Sequence, residues 1–134
     1  MVTVAELVAQ LREVLDRRCD VRFALLFGST TVRGFDLARD IDLAISTTSS
    51  LSLFELGALA DELERVIGKP VDLVDVDDAS TLLRWEIVRS GLAVLAPDAE
   101  ALHELRARVP VEYADLRPLL DREAAGLDRV LGVR

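Results

Sequence analysis

Phe27 to Ala44, FGSTTVRGFDLARDIDLA, is the stretch whose reading decides the fold. It joins an apolar run ending in a Gly28-Ser29 turn to a second apolar run, Ile41 to Ile45, with Asp40 and Asp42 one residue apart at its start. The two halves have complementary electrostatics. A Gly-Ser turn offers backbone N–H groups and a hydroxyl that suit phosphate oxygens, and two carboxylates on one face of a strand suit a hard divalent cation with oxygen ligands. Together they predict a site for a metal-bound nucleotide.

On the N-terminal side, Thr3-Val4-Ala5-Glu6 reads as a capping box. Val4, Leu7, Val8, Leu11, Val14 and Leu15 then recur at helical spacing, predicting an amphipathic helix that closes near Arg17-Arg18. Val21 to Phe27 reads as a buried strand feeding the turn, and the turn opens a brief helix through Thr30 to Arg33. Phe35 to Arg39 returns the chain as a loop into the second strand, Ile41 to Ile45, with Asp40 and Asp42 on the same face. Ser46 to Ser50 is a polar loop, and Ser52-Leu53-Phe54-Glu55 is a second capping box. The helix that follows buries Leu53, Leu56, Ala60, Leu63 and Ile67 and is stopped by Gly68.

Val71 to Val76 is the third strand, placing Asp72 on the face of Val74 and Asp75 on the opposite one. Asp77 or Asp78 caps a helix through about Ser90, Gly91 ends it, and Leu92 to Leu95 adds a short strand. Beyond Pro97, Asp98 caps a helix through Arg108. Leu116, Leu119, Leu120, Leu127, Val130 and Leu131 mark another, with Pro110 and Pro118 as punctuation. The expected architecture is α/β (α+β), a small mixed sheet flanked by helices. Residues 1–97 form the core, and 98–134 are a helical C-terminal extension of the same domain that covers the core or presents a partner surface.

The 134 residues suffice for one domain with its own core, and half of them are hydrophobic. No apolar run approaches the roughly 20 residues of a membrane-spanning helix, and the N-terminus lacks a secretion signal, so a cytoplasmic protein with no membrane role is expected. The lone Cys19 cannot form an internal disulfide, which fits a reducing compartment. A net charge of −8 argues against direct nucleic-acid binding, which rests on Lys and Arg neutralising phosphates, and favours protein partners. A homo-oligomer is left open.

Gly28-Ser29, ten intervening residues and then Asp40-Ile41-Asp42 resembles the G-S-x10-D-x-D signature of the DNA polymerase beta-like nucleotidyltransferase superfamily. Arg33-Gly34 inside the spacer, Leu43-Ala44-Ile45 after it, and the later Pro70-Val71-Asp72-Leu73-Val74-Asp75 narrow the resemblance to the minimal nucleotidyltransferases, the MntA-type antitoxins partnered with HEPN toxins. It runs from the first helix to about Pro97.

The resemblance implies a polymerase beta-like fold and a Mg²⁺-dependent enzyme. Asp40 and Asp42 would hold two Mg²⁺ ions on the triphosphate of ATP. Asp72 would be the third carboxylate, binding the catalytic metal and helping to deprotonate the attacking hydroxyl, with Asp75 as the fallback. Gly28, Ser29 and neighbouring amides would hold the β- and γ-phosphates. Arg33 would contact the triphosphate or stabilise the turn, and Arg39 stands where relatives often carry Ser. The implied function is transfer of AMP from ATP to a tyrosine hydroxyl of a cognate HEPN ribonuclease toxin, which neutralises it. Two alternatives are a non-catalytic antitoxin that masks its toxin and a small-molecule transferase resembling aminoglycoside-modifying enzymes.

Each residue also has a plainer reading. Asp40 could cap the strand and Asp42 be solvated, yet Asp42 lies between Ile41 and Leu43, where an unpaired buried carboxylate is expensive. Asp72, Asp75, Asp77 and Asp78 form an acidic cluster in which any member could be a cap or a solvated edge, and Gly-Ser often marks an ordinary turn. Cys19 reads as a packed helix-end thiol, His103 as a surface residue without a second histidine, and Trp85 and Tyr113 as packing residues.

Overall fold

The structure, a computed structural model, describes residues 2–28, 30–31, 34 and 39–131. Ser29 and Arg33, and most of the loop expected from Phe35 to Arg39, lie outside the described residues. The first helix, α1 (Val4–Leu15), starts where the capping box predicts: Thr3 Oγ1 accepts from the Glu6 N–H at 3.1 Å. It buries Leu7, Leu11, Val14 and Leu15. The regular helix stops two residues before Arg17, and the Arg17 and Arg18 amides tighten the last turn onto the Val14 and Leu15 carbonyls.

Strand β1 (Val21–Phe27) pairs antiparallel with β2 (Ile41–Thr47), which runs two residues further than expected. Helix α2 (Leu53–Ile67) leads to β3 (Val71–Asp75), parallel to β2. Helix α3 (Thr81–Ser90) leads to β4 (Leu92–Leu95), antiparallel to β1, so the mixed sheet has the order β3-β2-β1-β4. The last element, α4, spans Ala99–Leu131.

Alternation along the strands sends side chains into two cores. Ala24, Leu26, Ile41, Leu43, Ile45 and Val71 meet the apolar stripes of α1 and α2 on one face. Phe23, Leu25, Phe27 and Ala44 meet Ile87 of α3 and Leu102, Leu105 and Val109 of α4 on the other. On the second face Asp42 is half-buried, and Asp72, on the edge strand β3, is exposed. Leu7, Leu11 and Leu63 are wholly buried, positions where truncation to Ala costs about 2–5 kcal/mol.

Three local expectations are corrected. Leu53 is 89% exposed rather than part of the α2 stripe. Leu51, just before the Ser52 cap, enters the core in its place with Leu56 packed against the same cluster, the arrangement of a hydrophobic staple. The cap of α3 is Ser80, which accepts from the Leu83 N–H, and neither Asp77 nor Asp78. Cys19 is exposed rather than packed.

The C-terminal extension is one helix where two were expected, running through both Pro110 and Pro118. Proline already has helical φ; its cost is a lost hydrogen bond and a clash with the carbonyl four residues back. That part of α4 is largely exposed, so water can take up the freed carbonyls. Its first three turns close the core through Ala101, Leu102, Leu105 and Val109. The next turn is fastened to α3 by Tyr113 stacked on Trp85, with ring centroids 4.6 Å apart, and by Arg84 facing Glu112 at 3.9 Å.

Candidate active site

The turn after β1 and the start of β2 meet because Phe27 is the register partner of Asp42. Gly28 then turns with φ 75°, a left-handed conformation that glycine adopts without strain. Its missing side chain has a second consequence. A Cβ at Gly28 would collide with Asp42 Oδ2 and lie 3.2 Å from Asp42 Cγ, so the backbone of the turn lies directly against this carboxylate. Thr30 and Thr31 beyond it are helical. The Gly28 carbonyl accepts from both the Thr31 hydroxyl, at 2.8 Å, and the Thr31 amide, and the Gly34 N–H closes onto the Thr30 carbonyl at 2.9 Å.

Strand β3 brings the third acid. In the parallel β2–β3 pair Asp42 is the register partner of Asp72, so the two carboxylates are same-face neighbours on adjacent strands. Two contacts fix this alignment: the Ile41 N–H donates to the Pro70 carbonyl at 2.9 Å, and the Val71 N–H donates to Glu64 Oε1 at 2.9 Å. Asp40 precedes β2 in an exposed bend. Burial pushes the Asp42 carboxyl above the usual carboxylate range, and the charges of Asp72 and then Asp40 push it the same way.

Asp75 is on the other face and has another role. It is buried, and its Oδ1 accepts from the Asp77 N–H at 3.0 Å, while the Ser46 hydroxyl donates to Asp77 Oδ2 at 2.9 Å. Asp75 and Asp77 thus build the turn that leaves β3. Of the acidic cluster, only Asp72 stands in register beside Asp42.

The donor set bears on which ion fits. Among the described residues, no group of three or more His, Cys, Asp or Glu side chains is arranged to hold a metal by itself. Mg²⁺ does not require such a cage, because it is commonly bound by one or two carboxylates together with substrate phosphates and water. Neighbouring carboxylates of like charge, beside a glycine turn, fit an ion that arrives with a nucleotide. Thr30 Oγ1 adds an orphaned group next to the turn: it is fully buried with no hydrogen-bond partner among the described residues.

Two groups at this site escape the sequence reading. Thr30 is lost within the Gly-Ser spacer, and Ser90 appears only as the end of a helix. Ser90 Oγ nevertheless accepts from the Gly28 N–H at 3.3 Å. Nothing local in the sequence announces a contact across 62 positions.

Residues 9–100 match the Polymerase beta, Nucleotidyltransferase family. The chain belongs to this family. It is also 33% identical over 75 residues to a Methanocaldococcus jannaschii protein named as a candidate protein adenylyltransferase, covering 56% of this chain and 81% of that one. Among solved structures, a toxin–antitoxin with AMP-PNP matches with a TM-score of 0.74 at 24% identity, over 92% of this chain and 98% of the other. A Shewanella oneidensis tri-AMPylated HEPN toxin in complex with MNT antitoxin matches with a TM-score of 0.70 at 24% identity, over 93% of this chain and 96% of the other. At that identity the likeness shows the fold alone. Among the described residues no helix is long and apolar enough to cross a membrane.

Proposed function

We propose that this nucleotidyltransferase transfers AMP from ATP to a hydroxyl, a tyrosine hydroxyl in particular, of a HEPN-type toxin and so neutralises it. The observation that carries the reading is the Asp42–Asp72 register beside a glycine turn whose backbone abuts the Asp42 carboxylate. Support for the acceptor class comes from the relative named as a candidate protein adenylyltransferase and from the AMPylated HEPN toxin in the Shewanella complex.

In this account Gly28, Ser29 and Arg33 would receive the triphosphate, and Asp40, Asp42 and Asp72 would hold Mg²⁺. The ions supply charge neutralisation on the triphosphate and on the leaving group. The acceptor oxygen attacks the α-phosphorus; its new O–P bond forms as the bond to the β-phosphate oxygen breaks, and pyrophosphate leaves. The acceptor proton passes to the Asp72 carboxylate, which is exposed and open to an incoming partner. Beyond this proton acceptor the protein supplies positioning and charge, which suits so small a domain.

Intact mass of the cognate toxin after incubation with this protein, ATP and Mg²⁺ tests the reading. One or more AMP adducts are expected, absent with Asp42→Asn. A toxin neutralised equally well by Asp42→Asn, with no adduct, replaces the catalytic reading with masking by complex formation.

A further inference from the structure

Ser90 lies at the junction of three elements, at the end of α3, one residue before Gly91 and two before β4. Its hydroxyl has a single proton, which it donates to the Glu86 carbonyl at 2.9 Å, a back-bond along its own helix. With the proton committed there, the oxygen can only accept, and it accepts from the Gly28 N–H. The hydroxyl therefore links the helical layer to the first residue of the glycine turn.

The surroundings hold this hydroxyl in place. Gly91 follows with so close an approach that a Cβ there would strike the Ile87 carbonyl oxygen and lie 3.4 Å from Leu25 Cδ1. Ile87 is wholly buried, and Leu92 then pairs with Leu26 of β1. The end of α3 is thus clamped to the strand that delivers Gly28, leaving Ser90 little freedom to move relative to the turn.

We infer that Ser90 is a positioning residue of the nucleotide site: by fixing the Gly28 amide it sets the path of the turn that meets the triphosphate. The inference rests on the nucleotidyltransferase reading and deepens it. Two consequences follow. The Gly28 N–H is already engaged, so Gly28 serves the triphosphate through the path of its backbone and not as an amide donor. The same tie also holds the Gly28 backbone against the Asp42 carboxylate, coupling the phosphate side of the site to the metal side.

The test combines amide hydrogen exchange with nucleotide binding in wild type, Ser90→Ala and Ser90→Thr, using Mg²⁺ with AMP-PNP as the probe. Ser90→Ala is expected to speed exchange at Gly28 and weaken AMP-PNP binding about three- to tenfold, the scale of one hydrogen bond. With ATP and the acceptor, KM for ATP should rise more than kcat falls. Ser90→Thr, which keeps a hydroxyl able to back-bond along the helix, should restore both exchange and binding. Unchanged Gly28 exchange in Ser90→Ala, or weakened binding that Ser90→Thr does not restore, overturns the inference. A wild-type protein with a protected Gly28 amide that fails to bind AMP-PNP refutes the nucleotidyltransferase reading itself, a result distinguishable from failure of the Ser90 tie.

Discussion

The two ends of the β2–β3 pair both carry carboxylates, and the protein treats them differently. At the C-terminal end Asp75 and Asp77 are supplied with donors from this chain, the Asp77 amide and the Ser46 hydroxyl. At the N-terminal end Asp42 is opposed by Asp72 and Asp40, and among the described residues no hydrogen bond offsets the burial that raises its pKa. On the proposed function, aspartates at the two ends of this strand pair are structural where the chain provides donors and ligand-seeking where the described residues provide only like charge.

The largest effect that sharpens this contrast should come from the N-terminal end. Asp42→Asn and Asp72→Asn should each lower adenylyl transfer by at least roughly 10²–10³-fold, the scale seen when one electrostatic group is removed from an active site. Because they remove repulsion, neither should lower the midpoint of thermal unfolding. A variant that loses activity only because it unfolds would break the contrast.

Gly28→Ala should affect both activity and stability. The left-handed φ alone costs an L-residue about 1–2 kcal/mol, and the new methyl group must displace the Asp42 carboxylate. Urea unfolding and AMP-PNP binding would measure the two losses separately.

At the other end the expected effect is on stability without loss of nucleotide binding. Asp75→Ala strands the Asp77 amide and should cost about 1–3 kcal/mol. Asp75→Asn keeps an acceptor and removes a charge whose burial raises the carboxyl pKa. The sign follows from linkage: a raised folded-state pKa penalises the ionised form, so wild type lies below Asp75→Asn in stability near neutral pH. The gap should close as pH falls through the raised value. Unfolding curves across that range check it.

The smallest effect lies away from both ends. The Arg18 guanidinium grips Asp20 through two hydrogen bonds, of 3.1 and 3.0 Å, and holds its carboxyl below the usual range. That stabilisation is present above the unfolded-state pKa of about 4 and is lost as pH falls through the depressed folded value. Asp20→Asn should therefore flatten the acid limb of the stability profile slightly.

Much of this was legible in the sequence because its signals are local. Thr3 and Ser52 announce their helices with a partner three residues on, and alternation along Ile41 to Ile45 and Val71 to Val76 put Asp42 and Asp72 on definable faces. The pairing of Asp42 with Asp72 needed the parallel register, which no single strand encodes. The fate of Leu53 depended on tertiary packing, in which Leu51 takes the place in the core. The two prolines misled because helix interruption is a matter of cost, and the stacking of Tyr113 on Trp85 lies between them. Ser90 was invisible for the opposite reason: its function lies wholly in a long-range contact.

The most direct measurement is the shift in thermal unfolding midpoint produced by Mg²⁺ with AMP-PNP in wild type, Asp42→Asn and Asp75→Asn. Ligand that binds only the folded state raises the midpoint by an amount that grows with the logarithm of its concentration relative to Kd. The account predicts a rise in wild type and in Asp75→Asn and none in Asp42→Asn. An equal rise in all three would contradict it, because the acids left without donors would then be no more ligand-seeking than the acids the chain already satisfies.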